Sequence, residues 1–512
     1  MLTFVFTFIA IVFTLFGIYY LYAYNNAYYW KRRGVPGPIS KNYFINFLEV
    51  LLNPNYNGCF LYRDWTKEYG PVYGLLEGSR KILVVADLKL AQDILVKEFE
   101  KFHARKVGAL VPDMNKDKGV DVFLASGSRW KRLRTIMNPC FSVNNLKSLI
   151  PIMDDSCKVM MEFLEKPVKT KKPFDISKYY HELTMDVICR IAVGQKGTKQ
   201  FDNPNVEMIK AILSRKGVEW LDDLAHMFPA LGPYFFKFLL GFLVKFINLP
   251  GFHLMESIKK SIEEKKIEKA NGITANTDFI GIFIDAEADS IKDEAFTKTS
   301  MKIEKKMNIE ETVMNCFLFL IAGYDTTANT LAIVTWYLIQ YPEIQEQLFD
   351  EIESCCPDDE CTYDQLNQLK LCEAIIKEAL RLNPIGTLVV SRRCVEPTTL
   401  GKIPIEKGTY VQVDVMSLHY DKKIWGENAE EFCPERFYDL SIEQQMAYFS
   451  FGAGPRICIG MRLTLMEQKL AFVKILKKYK MKKCSETSNE CKLVGSVILG
   501  PENVMVEFEN RK

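Results

Sequence analysis

The sequence is short of net charge and of nucleotide-binding motifs. Its 66 Lys and Arg residues nearly balance 64 Asp and Glu residues, which leaves a formal charge of +2 over 512 residues. Because no strong basic field results, we do not expect nucleic-acid binding. The chain also lacks a G-x-G-x-x-G unit and any flavin or iron–sulfur motif, so it carries no electron-supplying centre of these kinds. No repeat, low-complexity tract or interdomain linker divides it.

Organised clusters of cysteine and histidine are absent as well. The fourteen cysteines form no C-x-x-C pair, and the chain holds only five histidines. Cys355, Cys356 and Cys361 come closest together, but their loop is acidic and has no nearby histidine, which argues against zinc. A chain of this length needs no disulfides to fold. We therefore predict reduced cysteines in a protein that faces the cytosol.

The amino terminus contains no charged side chain from Met1 to Trp30, and Leu2 to Tyr24 is almost entirely apolar or aromatic. About 20 such residues span a bilayer core as a helix. A cleaved signal peptide would show a basic start, a shorter apolar run and a small-residue cleavage site, and none is present. The basic run Lys31-Arg32-Arg33 places the downstream chain in the cytoplasm. We predict an anchor over 1–30, a basic and proline-rich hinge over 31–40, and one domain over 41–512.

Hydrophobic patterning predicts a mainly helical chain with small sheets. Helical spacing dominates from Ser126 to Leu382, and a helix over Leu88 to Glu98 has Asp87 in position to cap it. Strand patterns occur before and after this helical region. The strands are predicted at Val72–Leu75, Ile82–Val85, Thr387–Ser391, Thr398–Leu400 and Tyr410–Val413.

One cysteine stands in a context unlike the others. The stretch from Phe451 to Gly460 is a glycine-rich loop that places Cys458 just before a helical pattern. The positive end of that helix favours a thiolate. Gly454 and Gly460 let the backbone approach a flat ligand, and Arg456 can neutralise an acidic edge of it. A thiolate, a close backbone and a cation together are typical of haem iron bound through sulfur.

At these positions the chain resembles the cytochromes P-450, the haem-thiolate monooxygenases. Phe451, Arg456, Cys458 and Gly460 occupy positions of the family signature. The alternative, a buried cysteine in an ordinary loop, would not require these matched neighbours. The resemblance covers the chain from the anchor to Arg511. It implies the family's mainly helical fold with small sheets, a haem b cofactor and Cys458 as the axial ligand of its iron.

Besides Arg456, three arginines and one tryptophan are candidates to bind the haem propionates. Trp130 and Arg134 lie one helical turn apart, and the same W-x-x-x-R occurs beside the haem in the family. Arg392, in the pair Arg392-Arg393, fits the spacing of a family propionate ligand better than its neighbour. Arg105 is a further candidate, although an exposed charge explains it equally well.

Asp325 and Thr326 follow a mostly apolar run and match the family pattern of an acid beside a threonine. Gly323, inside the same helix, costs roughly 1 kcal/mol against alanine, and the close approach of a planar cofactor would explain it. Thr326 can bond back to a carbonyl or turn toward bound oxygen, and Asp325 offers a route for protons. A buried core helix with a polar flank is the alternative. The acid–threonine pair favours a monooxygenase.

Glu378 and Arg381 form an i,i+3 pair on one helix face, which on a surface would contribute only about 0.2–0.5 kcal/mol. The family pairs this motif with a later arginine, and Arg436 fits that position. A buried cluster of the three would lose several kcal/mol if one member were removed. We assign these residues to architecture and haem retention.

The resemblance implies an enzyme that inserts one atom of O2 into a lipophilic small molecule: a xenobiotic, a steroid or a fatty-acid-like compound. Electrons would come from NADPH through a separate reductase, with cytochrome b5 as a second candidate partner. The likeness is closest to the drug- and steroid-oxidising family three, and implies a single-pass protein of the endoplasmic reticulum membrane with its catalytic domain in the cytoplasm. A haem-thiolate isomerase or dehydratase and a non-catalytic haem-binding membrane protein are the alternatives.

Family position assigns a lipophilic substrate pocket to four segments, and ordinary core packing explains about half of their side chains equally well. The pocket candidates are Leu110, Val111, Phe317, Phe319, Leu388, Val389 and Ile498. The run from Tyr234 to Leu249 is largely apolar and too short for a second span. We expect it to dip into the membrane interface, although a buried helix would also fit.

Overall fold

The computed structural model of the chain describes residues 2–38, 58–108, 111, 114, 117–213, 225, 232–243, 250–272, 278–286, 305–495 and 498–511. These residues belong to two compact units, each assembled from separate chain segments. The first unit comprises Met1–Val111, Gly217–Ile247 and Ser391–Ser417, and the second comprises Pro112–Lys216, Asn248–Val390 and Leu418–Lys512.

Helices dominate the described residues, and the strands are short. In chain order the helices are α1 Leu2–Ala27, α2 Gly58–Tyr69, α3 Leu88–Gln92, α4 Gly127–Met137, α5 Val143–Thr170, α6 Ile176–Ala192, α7 Pro204–Leu213, α8 Gly232–Leu243, α9 Pro250–Ala270, α10 Phe279–Asp285, α11 Ile309–Gln340, α12 Pro342–Cys355, α13 Tyr363–Gln368, α14 Lys370–Leu382, α15 Val415–His419, α16 Lys422–Trp425, α17 Ile442–Ala447 and α18 Met461–Lys478. The strands are β1 Val72–Glu77, β2 Arg80–Val85, β3 Phe174–Asp175, β4 Ser391–Arg393, β5 Thr398–Leu400, β6 Ile403–Ile405, β7 Tyr410–Val413, β8 Tyr479–Lys482, β9 Leu493–Val494, β10 Gly500–Pro501 and β11 Met505–Asn510. The prediction of a mainly helical fold with small sheets is confirmed.

The amino-terminal helix α1 carries exposed apolar side chains along its length, with Phe13 72% and Leu21 66% exposed. Of the described helices, α11 alone passes the length and hydropathy test for a bilayer span, and 61% of its most apolar window is buried in the protein. Such burial is typical of a core helix. Because α1 does not pass the same test over its described residues, the anchor over 1–30 stays a prediction.

The segment after α1 packs against the sheet of the first unit. Trp30 is 4% exposed, and its indole N–H donates to the carbonyl oxygen of Leu75 at 3.0 Å. The backbone N–H of Gly74 donates to the carbonyl oxygen of Pro36 at 2.8 Å. The hinge over 31–40 stays a prediction, and residues 39–57 lie outside the described part of the chain.

The sheet of the first unit has four strands in the order β1-β2-β7-β4. Strands β1 and β2 form an antiparallel hairpin with Glu77 opposite Arg80, and β2 runs parallel to β7. Both predicted strands of the hairpin are confirmed and extend to the turn. Asp87 caps α3 as predicted, since its Oδ1 accepts the N–H of Leu90 at 2.8 Å. The helix continues as a π-helical turn over Asp93–Lys97.

One predicted strand, Thr387–Ser391, is wrong. The N–H of Val390 donates to the carbonyl oxygen of Thr387 at 3.3 Å, which is a local turn bond. The strand instead begins at Ser391, where β4 pairs with β7. The β-branched side chains before Ser391 suggested a strand, but none of the described strands pairs with them.

The second unit is built around α11, a helix of 32 residues. A capping box opens it: Asn308 Oδ1 accepts the N–H of Glu311 at 2.7 Å, and Glu311 Oε2 accepts the N–H of Asn308 at 3.3 Å. Helix α6 packs along α11. The hydroxyls of Tyr180 and Thr335, one on each helix, are 2.7 Å apart in the core.

Candidate functional site

The Cys458 loop begins in left-handed turns and ends at the start of α18. Gly452 and Gly454 have φ values of +73° and +67°, which a side chain would strain. The N–H of Cys458 donates to the carbonyl oxygen of Phe451 at 2.8 Å and closes the loop. All fourteen cysteines lie within the described residues and none forms a disulfide, and Cys458 alone among them is exposed. The fold therefore presents this sulfur at a surface.

Glycine at position 460 keeps the space beside the sulfur open. A Cβ built on Gly460 would lie 3.9 Å from Cys458 Sγ and 3.9 Å from Phe141 Cε1, which is ordinary van der Waals contact. Since φ at Gly460 is −82°, neither the backbone nor the packing of the described residues requires glycine here. A flat group lying against the loop would require it, and this fits a haem held through Cys458.

Arg134 binds the loop from α4. Its Nη2 donates to the carbonyl oxygen of Ile457, the residue before Cys458, at 2.9 Å. Burial lowers the pKa of the Arg134 guanidinium, while the negative charge of the Cys458 sulfur acts in the opposite direction. A guanidinium in this position both holds the loop and favours a thiolate.

Arg456 joins the loop to the segment before α4. Its Nη1 donates to the carbonyl oxygen of Phe123 at 3.1 Å, and its Nη2 donates to that of Ala125. The guanidinium lies over the Trp130 ring, 4.8 Å from the centroid. The structure thus brings Arg456, Trp130 and the cysteine loop together, and the role of Arg456 toward an acidic ligand stays a prediction.

The start of α4 is fixed to α11 by a buried ion cluster. Arg129 and Arg132 each donate to Glu311 Oε1 at 2.8 Å, and Glu311 is fully buried. Because Trp130 lies between these two arginines, the cluster sets the position of the helix that carries Trp130 and Arg134.

A stripe of partly or fully exposed side chains runs along helix α11, which is mostly buried. It comprises Met314, Phe317, Ile321, Ala322, Asp325 and Thr326, which recur at helical spacing. The Thr326 hydroxyl donates back to the carbonyl oxygen of Ala322 at 2.6 Å. The hydroxyls of Thr327 and Thr464 are 2.5 Å apart, which ties this part of α11 to the first turns of α18. Asp325 and Thr326 are thereby held near the helix that follows Cys458.

The close approach at Gly323 is to another helix. A Cβ at this position would lie 2.8 Å from Ile188 Cδ1 on α6. Our prediction attributed this glycine to a planar cofactor, but the contact that demands it is helix packing. The Thr184 hydroxyl donates to the carbonyl oxygen of Tyr324 at 2.9 Å and reinforces that packing.

Sequence reasoning missed His181 on α6. Its Nε2 lies 3.2 Å from Asp325 Oδ1, and its Nδ1 lies 2.8 Å from the carbonyl oxygen of Ser177. The two partners are 144 residues apart in the chain, and no spacing rule links them. The scarcity of histidine was the only signal that could have drawn attention to it.

In the first unit, the buried Arg392 lies close to the partly exposed Arg105. Arg392 is 2% exposed, its Nη1 donates to the carbonyl oxygen of Ser391 at 2.9 Å, and its Nε has no hydrogen-bond partner among the described residues. Burial lowers the pKa of Arg392 well below its usual range, and the charge of nearby Arg105 lowers it further. Two neighbouring positive charges, one of them buried without a charged partner among the described residues, fit an anionic group such as a propionate. Arg393, by contrast, is partly exposed.

The predicted cluster of Glu378, Arg381 and Arg436 forms in the second unit. Arg381 Nε lies 2.7 Å from Glu378 Oε2, and Arg436 Nε lies 3.4 Å from Glu378 Oε1. The side chains of Glu378 and Arg381 are fully buried. Arg381 also donates to the carbonyl oxygens of His419 and Ala429, at 2.7 Å each. The cluster therefore joins α14 to the chain that leads to the cysteine loop.

The pocket candidates divide by burial. Phe319 is 5% exposed and packs edge-on to Phe141 and Phe279, which is core packing. Leu110 lies outside the described residues. The remaining candidates are partly exposed within their own units: Val111, Phe317, Leu388, Val389 and Ile498.

Comparisons with known proteins match the chain to one family over most of its length. The family model described as cytochrome P450 matches residues 35–508. Three Caenorhabditis elegans proteins, named provisionally as cytochromes P450, match nearly end to end. CYP13A10 is 38% identical, with 96% of each chain covered; CYP13A3 is 39% identical, again with 96% of each covered; and CYP13A2 is 39% identical, with 98% of each covered.

Proposed function

Because the chain belongs to the cytochrome P450 family, we propose that it is a haem-thiolate monooxygenase acting on a lipophilic small molecule. The observation that carries the proposal is the exposed Cys458 sulfur beside Gly460, at the start of a helix bonded to the Asp325–Thr326 region through Thr327 and Thr464. The likeness to the drug- and steroid-oxidising family three belongs to the same proposal.

The chain would bind haem b at two places, the iron and the propionate groups. Cys458 would supply the thiolate ligand of the iron, and Trp130, Arg134, Arg392 and Arg105 are the proposed partners of the propionates. When bound, haem would supply activation of O2, which a thiolate ligand promotes by pushing electron density toward O–O cleavage. Burial of Arg392 supports this assignment, since a buried cation without a partner is costly and an anionic partner removes that cost.

Asp325 and Thr326 would transfer protons from solvent into the active site. The hydroxyl proton of Thr326 is engaged with Ala322, which leaves the Thr326 oxygen lone pairs available to accept a proton or a hydrogen bond. Asp325 is the adjacent acid and is 19% exposed, so it can exchange protons with solvent. The partly exposed apolar side chains of α11, such as Phe317 and Ile321, would exclude water and orient the substrate.

The proposed setting is the endoplasmic reticulum membrane, with α1 as a single-pass anchor and the catalytic domain in the cytoplasm. Electrons would come from NADPH through a separate reductase, with cytochrome b5 as a further partner. The exposed apolar face of α1 and the basic residues after it support this arrangement.

The test is the carbon monoxide difference spectrum of the dithionite-reduced, membrane-bound protein. We expect a strongly red-shifted Soret band that Cys458→Ser abolishes and Cys484→Ser, at a partly exposed cysteine elsewhere, leaves intact. Reductase and NADPH should then support consumption of O2. A spectrum typical of histidine-bound haem, or retention of the band in Cys458→Ser, would overturn the proposal. If the haem-containing protein converts substrate without a reductase, it is an isomerase or dehydratase. If it binds haem but converts no substrate, it is a haem-binding protein.

A further inference from the structure

The pair formed by His181 and Asp325 is placed to store a proton. The Nδ1 of His181 lies 2.8 Å from the carbonyl oxygen of Ser177, which can only accept a hydrogen bond, so Nδ1 carries a hydrogen. In a neutral ring Nε2 then has no hydrogen, and a deprotonated carboxylate has none either. Yet Nε2 lies 3.2 Å from Asp325 Oδ1. One additional proton between the two atoms makes this contact a hydrogen bond.

The surroundings keep the His181 ring in place and within reach of water. The Tyr324 ring packs against it with centroids 5.0 Å apart, and Thr184 and Gly323 hold α6 close to α11. The side chains of His181 and Asp325 remain 20% and 19% exposed. The His181 ring is therefore held against the Asp325 carboxylate, while solvent can still return a proton to it.

We propose that His181 is a positioning residue that holds one proton against Asp325 and restores that proton after each transfer into the site. The inference rests on the proposed function, in which Asp325 is the acid beside Thr326. In each cycle the Nε2–H bond breaks and an O–H bond forms on Asp325. After Asp325 passes the proton on, a proton from solvent reaches Nε2 and returns the ring to its starting state. No electron is transferred in these steps.

Other charged groups around the pair act at longer range. Glu182 follows His181 on α6, and Lys210 and Glu207 on α7 act on Glu182. Burial raises the pKa of Glu182, and the hydrogen bond from the N–H of Phe201 opposes that rise. Among the described residues, the acidic side chain within hydrogen-bond distance of the His181 ring is Asp325. Among the acidic residues named here, Asp325 is therefore the one whose substitution should change the hydrogen bonding of the His181 ring most.

The first test reads the proton directly and needs no turnover. The full chain, labelled with ¹⁵N-histidine and held in its reduced carbon monoxide form, is observed by NMR at neutral pH, with His181→Gln used to assign the ring. We expect a protonated Nδ1 and a shared proton at Nε2. In Asp325→Asn the Nε2 signal should move to the position of an unprotonated ring nitrogen, because an amide can donate to it. An Nε2 signal unchanged by Asp325→Asn would overturn the inference.

The second test measures the consequence with reductase and NADPH across pH 5.5–8.5. Since proton delivery by a positioned group is typically worth 10²–10⁴-fold and water can partly replace His181, we expect about a tenfold loss of NADPH oxidation in His181→Gln. The solvent deuterium isotope effect should rise, and the pH profile should flatten. His253→Gln, at an exposed histidine of α9, should match the unsubstituted chain.

The two proposals fail in different ways. If the unsubstituted chain shows no reductase-dependent O2 consumption, the monooxygenase proposal fails and the NMR result alone decides the state of the pair. If the chain is active but His181→Gln keeps the rate, isotope effect and pH profile of His253→Gln, the role of His181 is refuted and the monooxygenase proposal stands.

Discussion

His419 and Phe449 are joined by a buried hydrogen bond, in which the backbone N–H of Phe449 donates to His419 Nε2 at 2.9 Å. The opposite ring nitrogen, Nδ1, lies 2.9 Å from the carbonyl oxygen of Arg381. Because Nε2 accepts, the ring is neutral and donates through Nδ1. This histidine therefore links the buried arginine of α14 to the entrance of the Cys458 loop, two residues before Phe451.

Protonation of His419 would break this link. Burial, together with the smaller effect of the charge of Arg381, lowers the pKa of His419 to about 3. In the unfolded chain His419 binds a proton near pH 6.5. The stability that neutral His419 contributes is therefore complete above pH 6.5, and it is lost as the pH falls toward the pKa of His419 in the folded chain. Between pH 6.5 and 5 the free energy of unfolding should fall by about 2 kcal/mol on this account.

Thermal unfolding at several pH values checks this prediction. His419→Gln cannot bind the proton, so its Tm should fall less between pH 6.5 and 5 than that of the unsubstituted chain. His253→Gln should follow the unsubstituted chain, because His253 is exposed. Parallel curves for all three proteins would refute the role given to His419.

The cluster around Glu378 should be costly to break. Arg381 and Glu378 are fully buried and the Arg436 side chain is 9% exposed, so removing either arginine leaves a buried carboxylate short of a partner. We expect Arg381→Met to lower the free energy of unfolding by about 3–5 kcal/mol, measured by urea denaturation. Lys377→Met removes a half-exposed partner of Glu373 from the same helix, and should cost less than about 1 kcal/mol. Equal losses would contradict the assignment.

The contact between Gly323 and Ile188 predicts that the effect of Gly323→Ala on the free energy of unfolding changes sign when Ile188 is truncated. Alanine at 323 gains roughly 1 kcal/mol of helix propensity but overlaps Ile188, and overpacking typically costs about 1–3 kcal/mol. Gly323→Ala should therefore be neutral or destabilising in the unsubstituted chain. In an Ile188→Ala background the same change should stabilise, since the overlapping atoms are gone. A double-mutant cycle that shows no coupling would place the reason for this glycine elsewhere.

The sequence predicted features that depend on neighbours in the chain. The cap of α3 by Asp87 and the cluster of Glu378, Arg381 and Arg436 formed as expected, because capping and i,i+3 pairing are local and the third member followed from a known motif. The contact of His181 with Asp325 could not be predicted, since it exists only once α6 packs on α11.

Two sequence predictions were wrong for the same reason that the His181 contact was missed: each depended on a partner that is distant in the chain. Gly323 was correctly singled out as needing an explanation, but the sequence does not say which helix approaches it. The residues before Ser391 had strand composition without a strand to pair with among the described ones, and composition alone cannot supply the partner.

Helix α8 should contact the membrane interface. Tyr234, Phe235, Phe238 and Phe242 are between 53% and 78% exposed on a helix of 12 residues. Fully burying a phenylalanine is worth about 1.5–3 kcal/mol, so Phe238→Ser with Phe242→Ser should reduce membrane partitioning of a chain lacking residues 1–27 by at least about tenfold. Phe246, a further candidate, lies outside the described residues. Phe163→Ser with Phe201→Ser, at 41% and 46% exposure, is the control. Unchanged partitioning of the α8 variant would leave the anchor alone to hold the protein.

Glu467 on α18 should destabilise the folded chain at neutral and alkaline pH. It is 5% exposed, its Oε1 has no hydrogen-bond partner among the described residues, and burial raises its pKa to about 8. Because the pKa of Glu467 is higher in the folded chain, its contribution to stability is fully present below the pKa of the unfolded chain, near 4.5. That contribution is lost at about 1.4 kcal/mol per pH unit as the pH rises to about 8.

Glu467→Gln removes that pH dependence while keeping the shape of the side chain. Its Tm should exceed that of the unsubstituted chain at pH 8, and the two should converge toward pH 5. The exposed Glu353 on α12 provides the control, because Glu353→Gln should shift Tm little at either pH. A Tm difference between Glu467→Gln and the unsubstituted chain that stays constant with pH would mean that the Glu467 carboxyl ionises as it does in water. The helix after Cys458 would then contain a charged, solvated group at this position rather than a neutral buried one.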